Sequence, residues 1–150
     1  MWSSSVTTGT ELSIAGLTAK SLAKEFGTPT FFIDEADFRE RALAWDKALK
    51  DAFGPNAGTV YYASKAFICT EVARWIKEIG IGIDVSTGGE MAVALAGGID
   101  PAKIEVHGNN KSIAEIEKAI SVGVETIVID SMYEICLLYT SPSPRDRQKS

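Results

Sequence analysis

Tyr61-Tyr62-Ala63-Ser64-Lys65-Ala66-Phe67 reads as a short strand that runs into a lysine among apolar and small neighbours. A desolvated lysine loses some of its preference for the charged form. Its freed lone pair can then attack a carbonyl, which is how covalent lysine chemistry begins. A solvated lysine at a strand end is the commoner use of the residue. The surrounding sequence has to decide between the two.

Downstream, strand-like runs recur at residues 59–63, 81–85, 103–106 and 125–129, spaced by about 22 residues, as in a repeated supersecondary unit. Helical segments fall between them. Ile68, Val72, Trp75, Ile76 and Ile79 make one apolar face. Met91, Ala92, Leu95 and Ala96 make a second, and Ile113, Ile116, Ala119 and Ile120 a third. Strands alternating with helices predict βαβ units and a parallel sheet. No GxGxxG or GxxxxGK[ST] run opens a helix, and Gly80-Ile81-Gly82 lacks a third glycine, so a dinucleotide fingerprint is not expected. An α/β fold containing part of a (β/α) barrel is the first expectation, and a doubly wound sheet the second.

Side chains alternate faces along a strand. Val60 and Tyr62 therefore oppose Tyr61, Ala63 and Lys65, and Ile83 and Val85 oppose Asp84 and Ser86. Ile104 and Val106 oppose Glu105 and His107, and Ile127 and Ile129 oppose Val128 and Asp130. One face is aliphatic and suits packing on helices. In a barrel, Lys65, Asp84, Ser86, His107 and Asp130 would converge at the C-terminal mouth, where such folds place their chemistry. Each also has a plainer use. Asp84, Ser86 and Asp130 suit turns or helix caps, residues 86–90 suit a tight turn with a capping carboxylate, and a lone histidine suits a structural hydrogen bond.

Upstream, residues 1–12 are polar and expected to be mobile. Residues 13–26 carry a short amphipathic segment with Leu17, Leu22, Ala23 and Phe26, and Gly27-Thr28-Pro29 breaks it. Residues 30–33 read as a strand. A helix is predicted from Glu35 to Phe53, with Phe38, Ala42, Trp45, Leu49 and Phe53 on one face. Gly54-Pro55-Asn56 stops it.

The chain of 150 residues has a net charge of −5, which leaves no basic footprint for nucleic acid or for a membrane surface. Cys69 and Cys136 form no metal-binding or disulfide pattern, and His107 is the only histidine, so no metal site is expected. The first residues lack the n-region and h-region of a secretory signal, and no apolar run is long enough to span a bilayer. A soluble, cytoplasmic protein is expected.

Several runs resemble the fold-type III pyridoxal-phosphate decarboxylases. Tyr62-Ala63-Ser64-Lys65-Ala66-Phe67 matches around the lysine, followed by Val72-Ala73, Ile76 and Gly80 at the family's spacing. Gly82-Ile83-Asp84-Val85-Ser86-Thr87-Gly88-Gly89-Glu90 is similar to the second-strand motif, and His107-Gly108-Asn109-Asn110-Lys111-Ser112 to the third. That last run favours the branch acting on meso-2,6-diaminopimelate over the ornithine and arginine branches. Gly27-Thr28-Pro29 resembles the family's entry into the fold, and the resemblance covers about residues 12–135.

The resemblance implies that Lys65 carries pyridoxal 5'-phosphate covalently, with Ala63, Asp84, Ser86, Glu90 and His107 around the cofactor. The apolar shell of Ala63, Ala66 and Phe67 would keep the amine dry. The implied reaction is decarboxylation of the diamino acid to L-lysine and CO2, in a homodimer. It also implies that residues 1–34 belong with a C-terminal β domain and residues 35–135 with the first half of the barrel. Four of the family's eight units are present. The later ring-stacking histidine, the glycine-rich phosphate loop and the carboxylate facing the pyridine nitrogen are missing, so the chain as written is expected to be inactive and poorly stable. Residues 136–150 resemble translated adaptor read-through at the end of a truncated gene and are expected to be a non-native, disordered tail in which prolines stop the last helix. A non-catalytic pyridoxal-phosphate barrel and a non-enzymatic α/β binding module are the alternatives.

Overall fold

The computed structural model describes residues 6–8 and 10–140. The chain divides into two compact units, Met1–Ala48 and Leu49–Ser150.

The first unit holds a three-stranded antiparallel sheet, β1 (Val6–Thr8), β2 (Leu12–Ile14) and β3 (Leu17–Thr18), in that order. Ala15 and Gly16 join β2 to β3 with φ of 50° and 80°. Two positive φ values make the tight hairpin turn whose twist matches the flanking strands. Residues 6–8 and 12 are thus strand, where polarity alone predicted a mobile segment. Residues 1–5 and 9 lie outside the described residues. Thr18 caps helix α1 (Ala19–Phe26) by accepting a hydrogen bond from Ser21 N at 3.2 Å, and Leu22 is its buried member. Residues 30–33, expected as a strand, are irregular. Their β-favouring side chains find no neighbouring strand among the described residues, and propensity alone does not make a strand.

Helix α2 (Glu35–Phe53) starts where expected. Asp34 Oδ1 accepts from Ala36 N at 2.9 Å, and Glu35–Arg39 and Asp37–Arg41 form ion pairs along the surface. None of its residues is buried, so its apolar spacing does not mark a core-facing stripe within the described structure.

The second unit is built on a four-stranded parallel sheet: β4 (Tyr61–Ala63), β5 (Gly82–Val85), β6 (Ile104–Val106) and β7 (Thr126–Ile127). Helices α3 (Thr70–Ile79), α4 (Gly88–Ala96) and α5 (Ile113–Val122) connect them, and α6 (Met132–Thr140) follows. The spatial order equals the chain order. A doubly wound sheet reverses direction at a switch point. Here each crossover steps the same way, which is the progression of a (β/α) barrel, and the unit is a partial barrel of that kind.

The predicted strand faces hold in the middle of the sheet. Ile83, Val85 and Ile104 are fully buried and Val106 nearly so. They share the core with Val72, Ala73 and Ile76 of α3 and with Ile116 and Ala119 of α5. Each large aliphatic side chain so buried contributes about 1.5–3 kcal/mol. The edge differs. Strand β7 is short and Ile129, expected on the aliphatic face, is 45% exposed.

The α4 face is also corrected. Met91 is buried as predicted, but Ala92 and Ala96 are exposed and Ala94 is buried instead. Met91, Ala94 and Gly97 form an i, i+3, i+6 stripe. Its phase is set where Gly97 meets α3, since a Cβ there would lie 2.3 Å from Ala73 Cβ.

Helix α6 continues through Thr140 with Leu137 buried, so residues 136–140 are helical rather than part of a tail. Pro142 and Pro144 come later than this helix, and the expectation for residues 141–150 lies outside the described residues. Among the described residues no helix is long and apolar enough to cross a membrane.

Candidate functional site

Parallel strands carry their C-terminal ends, and the loops after them, to one edge of the sheet. A cleft of about 560 Å³ opens there. Lys65 enters from the turn after β4, Ser86 and Thr87 from the loop after β5. His107, Gly108, Asn109 and Asn110 come from the loop after β6, and Asp130 from the loop after β7. Its volume lies in the range typical of small-molecule sites.

Lys65 is not on the strand itself. Strand β4 ends at Ala63, and Ser64–Ala66 form a 3-10 turn. The alternation that predicted its direction therefore ends two positions earlier, and the turn still delivers Lys65 to the cleft. The expected dry shell is absent. Lys65 and Ala66 are exposed and Phe67 is 43% exposed. Among the described residues the Lys65 ammonium makes no hydrogen bond or ion pair. Ala63 is half-buried within β4, paired in register with Asp84, and does not line the cleft.

Two carboxylates stand behind the cleft. Glu90, in the first turn of α4, accepts from Ser64 Oγ at 2.6 Å and from Ser86 N at 2.7 Å. It thereby fastens the Lys65 turn to the loop after β5. Residues 86–90 form the expected turn into α4, but the cap is Thr87, which accepts from Glu90 N, and the Glu90 carboxylate binds Ser64 Oγ and Ser86 N instead. Asp84 is half-buried, and its Oδ1 is buried without a hydrogen-bond partner. Burial pushes its carboxyl above the ordinary value of 3.8. The neighbouring His107 and Lys65 oppose that shift, and Glu90 adds to it.

His107 lies between two carboxylates. Its Nδ1 is 3.9 Å from Asp84 Oδ2 and its Nε2 is 3.8 Å from Asp130 Oδ1. Asp84, Glu105 and His107 offer donor atoms within 4.8 Å of one another. Gly108 allows the loops after β5 and β6 to approach, since a Cβ there would sit 2.9 Å from Ser86 O. The structure thus gathers Lys65, Ser86, His107 and Asp130 around the cleft, with Asp84 and Glu90 directly behind it.

Two residues that shape this rim escaped the sequence reading. Lys111 and Glu134 are a buried pair, with Nζ 3.1 Å from Oε2. Lys111 belongs to the run that resembles the third-strand motif, but no sequence signal assigns it a partner or pairs it with Glu134.

An exposed lysine amine in a polar cleft, at the end of a parallel sheet, suits a ligand that carries an aldehyde. The amine can bond the carbonyl carbon with loss of water, while the buried Asp84 carboxylate lies behind the cleft wall. The comparisons agree with that chemistry. Residues 35–145 match the model for the "Pyridoxal-dependent decarboxylase, pyridoxal binding domain". A diaminopimelate decarboxylase of Mycobacterium tuberculosis is 53% identical over 122 residues, 81% of this chain and 26% of that protein. One of Halalkalibacterium halodurans is 43% identical over 127 residues, 85% of this chain and 28% of that protein. A crystal structure of diaminopimelate decarboxylase from M. jannaschii in co-complex with L-lysine superposes with a TM-score of 0.78 at 26% identity, covering 91% of this chain and 32% of that one. The chain spans about a quarter of the length of the curated relatives it matches.

Proposed function

The chain belongs to the pyridoxal-dependent decarboxylases, through their pyridoxal-binding domain, and on that basis we propose that it holds pyridoxal 5'-phosphate at Lys65 and forms part of an enzyme that converts meso-2,6-diaminopimelate to L-lysine and CO2. The observation that carries the reading is the unengaged Lys65 amine facing a cleft backed by the orphaned Asp84 oxygen. When bound, the cofactor supplies an electron sink for the charge left by departing CO2.

The chain's own residues have distinct parts in this reading. Lys65 is the point of attachment and the catalytic residue. Asp84 holds a negative charge or a proton next to it, with an affinity for the proton raised by burial. Glu90 fixes the Lys65 turn through Ser64 and the next loop through Ser86 N. Ser86 and His107 line the cleft and supply polar contacts to the bound cofactor. Ala63, in register with Asp84, sets the depth at which β4 ends.

The relatives' length supports a further part of the reading: the complete enzyme needs residues from outside this chain, and the 150-residue chain does not turn over alone. A homodimer and a cytoplasmic location complete it. The unpaired Cys69 and Cys136 suit a reducing compartment. The test uses the complete polypeptide that contains this segment. Wild type is expected to release CO2 from meso-2,6-diaminopimelate, and Lys65→Ala to lose both cofactor and activity. Undiminished activity in Lys65→Ala would overturn the assignment. Release of CO2 from ornithine or arginine instead would overturn the substrate.

A further inference from the structure

We propose that Lys111 and Glu134 form a buried clamp whose task is to position the His107–Asp130 side of the cleft, so that both are positioning residues for the site. The inference rests on the reading of the cleft given above.

The connections are direct. Lys111 Nζ donates to the carbonyl of Gly108, the residue after His107. It also donates to both oxygens of Glu134, at 3.2 and 3.1 Å, and lies 3.6 Å from Asp130 Oδ2. Glu134 Oε2 accepts from Asp130 N at 2.8 Å. Asp130 in turn places Oδ1 3.8 Å from His107 Nε2. One ion pair thus grips the loops after β6 and β7 at once. Those loops supply most of the polar rim of the cleft. Neither clamp residue lines the cleft itself.

The clamp is costly as a purely stabilising device. The side chains of Lys111 and Glu134 are 2% and 5% exposed. A buried ion pair loses hydration that its mutual attraction barely restores, and an apolar pair of similar volume often stabilises as well or better. What an apolar pair cannot do is hold the Gly108 carbonyl and the Asp130 N–H in fixed directions. Residues 108–112 contain no regular element before α5, and these bonds tie the Gly108 end of that loop to Asp130 and Glu134.

The test reads the His107 imidazole proton resonance, assigned by its loss in His107→Gln, which reports on the site without turnover. Four versions of the complete polypeptide that contains this segment are compared: wild type, Lys111→Arg, Lys111→Met and the double variant K111M/E134L. Melting is followed by circular dichroism. Labelling of Lys65 is measured by incubation with pyridoxal 5'-phosphate, borohydride reduction and peptide mass analysis. Lys111→Met strands a buried carboxylate and is expected to melt lowest. The double variant strands no charge, although the Gly108 carbonyl and the Asp130 N–H lose these partners, and it is expected to recover most of the melting temperature lost in Lys111→Met. The clamp predicts that this recovered variant still shows a displaced His107 resonance, and Lys65 labelling lowered by about tenfold, since small displacements of a site are costly. Lys111→Arg keeps the cation and is expected to retain the wild-type resonance. A double variant with both melting and His107 resonance of wild type would overturn the clamp, as would one that fails to fold. A displaced resonance with no Lys65 labelling even in wild type would leave the clamp standing and overturn the cofactor reading.

Discussion

Gly97→Ala tests the packing that spaces the first two strands, and with them Lys65 and Asp84. Gly97 has φ of −72° and ψ of −8°, a conformation open to any residue. On backbone grounds alone an alanine there should stabilise by about 0.4–1 kcal/mol, because it restricts the unfolded chain. The surroundings reverse the sign. The added Cβ would lie 2.3 Å from Ala73 Cβ, 3.1 Å from Thr70 O and 3.2 Å from Ala73 C. Most of what it meets is α3 backbone or attached directly to it, so no flexible side chain can swing away. Overpacking of this kind costs about 1–3 kcal/mol. The net expectation is destabilisation by about 1–2 kcal/mol, read as a lower urea midpoint at unchanged slope. Gly89→Ala is the internal control. Its Cβ meets only Thr87 Oγ1 at 3.8 Å, an ordinary contact, so that variant should gain about 0.5–1 kcal/mol. Adding Ala73→Gly to Gly97→Ala should recover part of the loss in a non-additive way. A Gly97→Ala midpoint at or above wild type, or strict additivity of the pair, would refute the close approach of α3 and α4.

Other predictions bear on the site and its supports. Glu90→Ala leaves Ser64 Oγ and Ser86 N without their acceptor and should cost about 2–6 kcal/mol, at about 1–3 kcal/mol per stranded group; Glu90→Gln should lose less, and equal melting of all three proteins would contradict the bridge. Glu115 is held below the ordinary 4.5 by hydrogen bonds from Ser112 N and Gly88 N, and Glu134 by one from Asp130 N. Both bind protons less readily folded than unfolded, so their contribution is present above about pH 4.5 and is lost as pH falls through the lower folded values. Urea midpoints between pH 6 and pH 3 should therefore decline, less steeply in Glu115→Gln, and a parallel decline would remove Glu115 from the account. Burial and the bond to Glu125 raise Tyr61 to about 12, so one tyrosine should ionise near there by ultraviolet titration while Tyr61→Phe lacks that step.

The middle of the sheet was legible in the sequence because period-two alternation there coincides with burial. Ile83, Val85, Ile104 and Val106 all lie on the predicted face. The same alternation misplaced Lys65 by a turn, since nothing in the pattern marks where β4 stops and residues 64–66 begin to coil. It also overstated residues 30–33, whose side chains favour strand but whose backbone has no partner among the described residues. The α4 face was misjudged because alanines fit either side of a helix, and only the approach of Gly97 to Ala73 fixes the phase. The cleft residues were found because strand ends gather in a parallel sheet whatever their loops do. The Lys111–Glu134 pair was not found because its two members meet only in the fold, one from the loop after β6 and the other from the first turn of α6.

Everything proposed for the cleft depends on Lys65 being the cofactor's attachment point. Limiting pyridoxal 5'-phosphate, followed by borohydride reduction and peptide mapping, tests it most directly. A pyridoxyl group is expected on Lys65 ahead of every other lysine, with that labelling abolished in Lys65→Ala and weakened in Asp84→Asn. Labelling spread evenly over the exposed lysines, with Lys65 unfavoured, would contradict it.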